Sequence, residues 1–103
     1  EIESMAFEKL TSLKQLNLGF NKIRILDENL FENLKNLEQL EINNNQISKI
    51  FEATFSHLKE LKIVNIEENC LYKINRNLFN KNSNLLVLKL AKNLIKNLEI
   101  NNF

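Results

Sequence analysis

Phenylalanine returns at Phe7, Phe31, Phe55, Phe79 and Phe103, and asparagine at Asn21, Asn45, Asn69 and Asn93, both series at an interval of 24 residues without slippage. A fixed period in the range of about 20–50 residues marks an array of like units, each too small to bury its apolar side alone and each closed off by the next. Function in such a chain belongs to extended surfaces rather than to a cleft.

Placed on that period, the windows Leu13 to Ile23, Leu37 to Ile47, Leu61 to Leu71 and Leu85 to Ile95 share one pattern. Leucine opens each window, leucine or valine stands fourth, leucine or isoleucine sixth, asparagine ninth, and isoleucine or leucine eleventh. Leu16 and Leu18, Leu40 and Ile42, Val64 and Ile66, and Leu88 and Leu90 alternate with mostly polar neighbours, which is the period of a half-buried strand. One short strand per unit is therefore expected, and equivalent strands running the same way pair in parallel, with the rest of each unit as crossover. The ninth-position asparagine follows the strand, where the chain turns away and leaves peptide groups without ladder partners. An amide, donor and acceptor at once, satisfies them. The phenylalanines fall on the far side and are expected to stack as a spine, with Phe55 held more tightly than the terminal Phe103. A strand ladder advances by about 4.8 Å per unit, less than bulky rings need, so the sheet should line the inside of a curve.

The pattern L-x-x-[LV]-x-[LI]-x-x-N-x-[IL], its period, and the trailing L-x-x-x-x-F-x-x-L from Leu26 to Leu34 resemble the leucine-rich repeat family, in its 24-residue typical subclass common in extracellular proteins. The resemblance covers essentially the whole chain. It implies an α/β repeat fold: a right-handed solenoid with a short parallel β-strand per repeat on the concave face and irregular or 3-10 convex segments. On this reading residues 1–12 end a preceding repeat, 13–36, 37–60 and 61–84 are full repeats, and 85–103 is an incomplete one. Cysteine-rich caps typical of the family are missing, so the chain reads as a fragment of a longer array.

One departure stands out. Leu10, Leu34 and Leu58 hold the twenty-second position, but Asn82 takes it in the third full repeat, within Asn80-Lys81-Asn82-Ser83-Asn84. That polar stretch is expected to bulge outward and loosen the packing onto the fourth repeat.

Composition narrows the chemistry. Fourteen basic and thirteen acidic residues leave a formal charge of +1, so no field draws the chain onto nucleic acid, and no apolar run is long enough to insert in a membrane. Cys70 is the only cysteine, which forbids an internal disulfide, a CxxC pair and a zinc cluster. It reads as a partly exposed small apolar residue in preference to one half of an intermolecular disulfide. His57, the only histidine, has no carboxylate or nucleophile at a useful spacing and reads as a solvated surface residue. Glu41, Glu67 and Glu68 could imitate an acid pair but lack a pocket. No catalytic residue, cofactor or metal is implied. The 19 asparagines complete no N-x-S/T sequon.

The third, fifth and seventh positions should face outward from the sheet. The candidate contact residues are Gln15, Asn17, Gln39, Glu41, Asn43, Ile63, Asn65, Glu67, Val87 and Lys89, with Gly19 and Ala91 completing the rows. Ile63 and Val87, close to Leu86, form an apolar centre rimmed by Glu41, Glu67, Lys89 and Lys92, which fits either a protein contact or β-branched residues that simply suit a sheet surface. Phe20 and Phe51 are extra aromatics, read as packed locally under neighbouring turns in preference to standing as exposed anchors.

These readings converge on a non-catalytic protein–protein recognition module for a protein ligand or co-receptor. The family resemblance implies an extracellular setting, because this unit looks like Toll-like receptor ectodomains, adhesion proteins and the leucine-rich immune proteins of insects. The alternative is a cytoplasmic scaffold or regulatory subunit using the same face. An enzyme would need a catalytic domain beyond this sequence.

Overall fold

The computed structural model describes residues 2, 3 and 5–95, so the expectations for Phe103 and for the end of the last repeat lie outside the described residues. In chain order the strands are β1 (Gln15–Asn17), β2 (Ile25–Leu26), β3 (Gln39–Glu41), β4 (Lys49–Ile50), β5 (Ile63–Asn65) and β6 (Val87–Lys89). β1, β3, β5 and β6 form one parallel sheet in sequence order. Gln15 pairs with Gln39, Gln39 with Ile63, and Ile63 with Val87, so the register advances by one repeat at every step. Backbone bonds extend the ladder past the strand ends, from Leu18 N–H to Glu41 O (2.7 Å), Ile42 N–H to Asn65 O (2.9 Å) and Ile66 N–H to Lys89 O (2.9 Å).

Alternation turns Leu40, Ile42, Val64 and Ile66 inward, where with Leu37 and Leu61 they are fully buried. Each such side chain contributes about 1.5–3 kcal/mol. Their counterparts on the edge strands, Leu16, Leu18, Leu88 and Leu90, are only partly covered, because among the described residues each has a neighbouring strand on one side alone. On the opposite side Phe7, Phe31, Phe55 and Phe79 stack nearly parallel, with ring centroids 6.1, 6.2 and 5.4 Å apart. These steps exceed the roughly 4.8 Å of a strand ladder, so the coils fan out on the ring side and the sheet lies on the concave face. Between spine and sheet the chain turns through bonds of the 3-10 kind, such as Leu30 N–H to Asp27 O, Leu34 N–H to Phe31 O and Leu37 N–H to Leu34 O.

The asparagines form the ladder that the pattern demanded. Asn45 Nδ2 donates to Leu18 O (3.0 Å), Ile42 O (3.1 Å) and Asn43 O (3.2 Å), and its Oδ1 accepts from Ile23 N–H at 3.0 Å. Asn69 repeats the set one coil on, with Ile42 O, Ile66 O, Glu67 O and the N–H of Ile47. Asn93 continues it through Ile66 O, Leu90 O and Leu71 N–H. Each interior amide therefore fastens its own turn and the backbone of the coil before it. The residue just ahead, Phe20, Asn44, Glu68 or Lys92, takes a left-handed conformation with φ of 59, 57, 55 and 58°.

Four expectations change. Asn82 does not bulge outward: it is buried, and its Nδ2 donates to Phe55 O and Leu58 O, both at 2.9 Å. The turn around it, Asn82 N–H to Phe79 O (3.1 Å), matches Leu34 to Phe31 and Leu58 to Phe55, so an inward amide replaces the leucine without disturbing the coil. Its Oδ1, however, is buried without a hydrogen-bond partner. His57 is half-buried rather than solvated, with its Nδ1 shielded and unpartnered. Phe20 is 77 % exposed instead of packed, because the left-handed backbone aims its side chain off the coil. Finally, β2 and β4 form a second, two-stranded parallel sheet, pairing Ile25 with Lys49 and Leu26 with Ile50, where irregular chain was expected.

Candidate recognition surface

Outward positions of β1, β3, β5 and β6 share the concave face, and the structure brings all ten candidate residues onto it in three cross-strand rows. Gln15, Gln39, Ile63 and Val87 form one row, and Asn17, Glu41, Asn65 and Lys89 the next. Beyond the strands come Gly19, Asn43, Glu67 and Ala91. Gln15, Asn17, Val87 and Lys89 are exposed, whereas the candidates from the two inner strands are half-buried by their neighbours.

Much of the polar surface is tied to itself. Gln39 Nε2 donates to Glu41 Oε1 at 2.8 Å, and Asn43 Nδ2 to Asn44 Oδ1 at 2.8 Å. Asn44 Nδ2 donates to Glu68 Oε2, while the Lys92 ammonium lies 3.5 Å from Glu68 Oε1. Asn17 and Asn65 fold back to accept from the N–H groups of Gly19 (2.8 Å) and Glu67 (3.0 Å). A glycine suits the first of these sites: a Cβ there would meet Asn43 Oδ1 at 3.0 Å and Asn17 Oδ1 at 3.1 Å.

Against this network the apolar centre differs in kind. Ile63 and Val87 are register partners, Leu86 beside them is 78 % exposed, and none carries a polar group to engage. Asn65 pairs with Glu41 on one side and Lys89 on the other, so the adjoining row runs from carboxylate to ammonium. Lys62, one residue before Ile63, bridges Glu38 at 3.5 Å.

The residues weighed for chemistry lie apart. His57 sits on the convex crossover, and Cys70 is an exposed free thiol beyond the asparagine ladder. Among the described residues no group of three His, Cys, Asp or Glu side chains is placed to hold a metal ion. No helix among them is long and apolar enough to cross a membrane. Phe20, for which the sequence favours local packing over an exposed anchor, stands at the rim of a recess of about 500 Å³ lined also by Ile2, Leu18, Asn21, Lys22 and Ile23. The available signal was its column: Asn44, Glu68 and Lys92 fill the equivalent positions, which marks that column as facing solvent.

In-register parallel strands, an asparagine ladder and a phenylalanine spine together define a leucine-rich repeat solenoid, the architecture of a protein-interaction module. The chain belongs to the BspA-type leucine-rich repeat family, whose repeat region matches residues 1–103 in six copies. No curated protein matches it by sequence. Among solved structures, the leucine-rich repeat domain of APL1B is 28 % identical with a TM-score of 0.88, over 90 % of this chain and 27 % of that one. The complex of TLR13 with ssRNA13 gives 32 % identity and a TM-score of 0.89, over 94 % of this chain and 14 % of that one. The Toll–Spätzle complex, described as a hub in Drosophila development and innate immunity, gives 27 % and 0.84, over 87 % and 12 %. The chain thus spans between about an eighth and a quarter of the chains it resembles.

Proposed function

We propose that the concave sheet binds a protein ligand or co-receptor, with Ile63, Val87 and Leu86 as the apolar centre of contact and Glu41, Glu67 and Lys89 as its charged rim. The observation that carries this reading is the in-register Ile63–Val87 pair beside a 78 % exposed Leu86, on a face whose polar groups otherwise engage one another. Burying those three side chains would release water at little polar cost. The setting is an extracellular innate-immune receptor or scaffold, supported by the likeness to APL1B, TLR13 and Toll. The exposed lone thiol of Cys70 supports a second reading, a scaffold of the reducing cytoplasm.

Size sets a condition on the contact. Four strands of three residues cover only about 10 by 19 Å, or ~200 Å², against the ~800 Å² per partner of a stable interface. The flanks of the coils, or further coils, must share in it. A photo-crosslinker at Val87 should capture the ligand, and one at Glu28 on the convex side should not. The pair Ile63→Asp and Val87→Asp should abolish capture while leaving the circular dichroism spectrum intact. Crosslinks obtained only from Glu28, or capture unaffected by the double substitution, reject the patch.

A further inference from the structure

A second surface lies on the flank where each coil leaves the asparagine ladder for the phenylalanine spine. Between the second and third repeats a recess of about 350 Å³ opens, lined by Lys49, Ile50, Phe51, Tyr72, Lys73 and their neighbours. Its origin is a ladder that stops. Between the first two repeats the chains stay paired: Gln46 N–H donates to Ile23 O, Ser48 N–H to Arg24 O, and β2 then joins β4. Between the second and third, Cys70 N–H donates to Ile47 O, but among the described residues no backbone bond from Tyr72 or Lys73 continues the pairing and no strand of the third repeat joins β4. The two coils part at Tyr72 and Lys73 and meet again where Asn77 Nδ2 donates to Glu52 Oε1, which leaves the outer edge of the two-residue β4 unpaired.

The lining is specific in its chemistry. The Lys49 ammonium lies 4.7 Å from the centroid of the Phe51 ring, and Tyr72 is 61 % exposed across the gap. Neither Lys49 nor Lys73 has a carboxylate partner among the described residues. The carboxylate in the wall, Glu52, accepts from Asn77 Nδ2 at 3.0 Å and keeps its charge, so the lining as a whole carries a net charge of +1 from two lysines and one glutamate. Two ammonium groups, two aromatic faces and a free strand edge thus meet in one place, whereas the carboxylates Glu41, Glu67 and Glu68 gather on the concave side.

We propose that this flank recess is a docking site for an extended acidic peptide segment of a protein partner. The segment lies along the free edge of β4 and exchanges backbone hydrogen bonds with it. Its carboxylates face Lys49 and Lys73, and an apolar or aromatic side chain enters between Phe51 and Tyr72. The edge favours a peptide over a polysaccharide, because only a polypeptide offers amide donors and acceptors at strand spacing. The site is independent of the Ile63–Val87 patch and supplies flank area that the strands alone lack.

The test is fluorescence anisotropy of the whole 103-residue chain with a labelled peptide of glutamates around a central tyrosine, beside a matched lysine peptide and heparin. The acidic peptide should bind, and the lysine peptide should not. Combined Lys49→Glu and Lys73→Glu should weaken binding by about tenfold or more, as two reversed charge contacts would, and raised salt should weaken the unmodified chain likewise. Tyr72→Ala, an exposed position, should weaken it without altering the melting temperature. Ile63→Asp with Val87→Asp should leave it unchanged, which separates this site from the concave one. Absence of binding, equal affinity for both peptides, tighter binding of heparin than of the acidic peptide, or indifference to the two lysine substitutions would each overturn the proposal.

Discussion

Removing the Asn45 amide tests the ladder most directly, because the structure states what each lost bond leaves behind. In Asn45→Ala the carbonyls that received its Nδ2 all keep another donor: Leu18 O retains Asn21 Nδ2 (2.9 Å), Ile42 O retains Asn69 Nδ2 (3.0 Å) and Asn43 O retains Phe20 N–H (3.0 Å). The one group left alone is the N–H of Ile23, a residue only 6 % exposed. An orphaned buried donor costs about 1–3 kcal/mol, or a fall in melting temperature of about 4–20 °C for a chain this size. Asn69→Ala should cost the same, since it orphans only Ile47 N–H. Asn21→Ala should cost well under about 1 kcal/mol, because that amide is exposed and donates only to Leu18 O and Gly19 O. Asn45→Asp separates hydrogen bonding from volume. A carboxylate there keeps the acceptor but turns a second oxygen toward three carbonyls, so its folded-state pKa rises above the unfolded value. The protonated form is the tolerated one, so relative to the unmodified chain this variant should be less destabilised at pH 4 than at pH 7. Urea unfolding followed by circular dichroism measures all four. Equal losses for Asn21→Ala and Asn45→Ala, or a pH-independent penalty for Asn45→Asp, would refute the hydrogen-bond account.

Two further outcomes follow from the convex side. Phe55→Ala should cost about 3–5 kcal/mol in the same assay, since Phe55 is fully buried between Phe31 and Phe79, whereas the half-covered Phe7 should cost clearly less when truncated. Asn82→Leu should stabilise the chain by about 1–2 kcal/mol, raising the urea midpoint. It removes an unpartnered buried Oδ1, while Phe55 O and Leu58 O keep the N–H groups of Leu58 and Leu61.

The solenoid was legible because its two rulers, asparagine and phenylalanine, each mark a column that must stack, and a column leaves the same residue at the same interval. Asn45 and Phe55 could be assigned roles without coordinates for that reason. Polarity alone points Asn82 toward solvent, yet an amide turns inward where carbonyls wait for it, as those of Phe55 and Leu58 do. Apolarity alone favours burial for Phe20, but its left-handed backbone conformation accompanies an exposed ring. Pairing of β2 with β4 rests on two residues per strand, too few to show a period in sequence. The rows of the concave face followed from alternation once the strands were placed. Which outward residues bond to one another did not, since Gln39 to Glu41 and Asn44 to Glu68 depend on rotamers that spacing leaves open.

Because every interior asparagine grips the coil before it, the amide ladder has no privileged unit, and its length behaves as an adjustable quantity. Splicing in or excising a segment of 24 residues, the separation of register partners such as Gln15 and Gln39, would recreate the sheet register and the asparagine bonds at each seam. A cut one residue shorter would throw all downstream rungs out of phase with those upstream. Genes for such chains can therefore grow by duplicating whole units and change what they recognise by editing outward residues, with the amide ladder acting as a thread gauge that rejects any other increment.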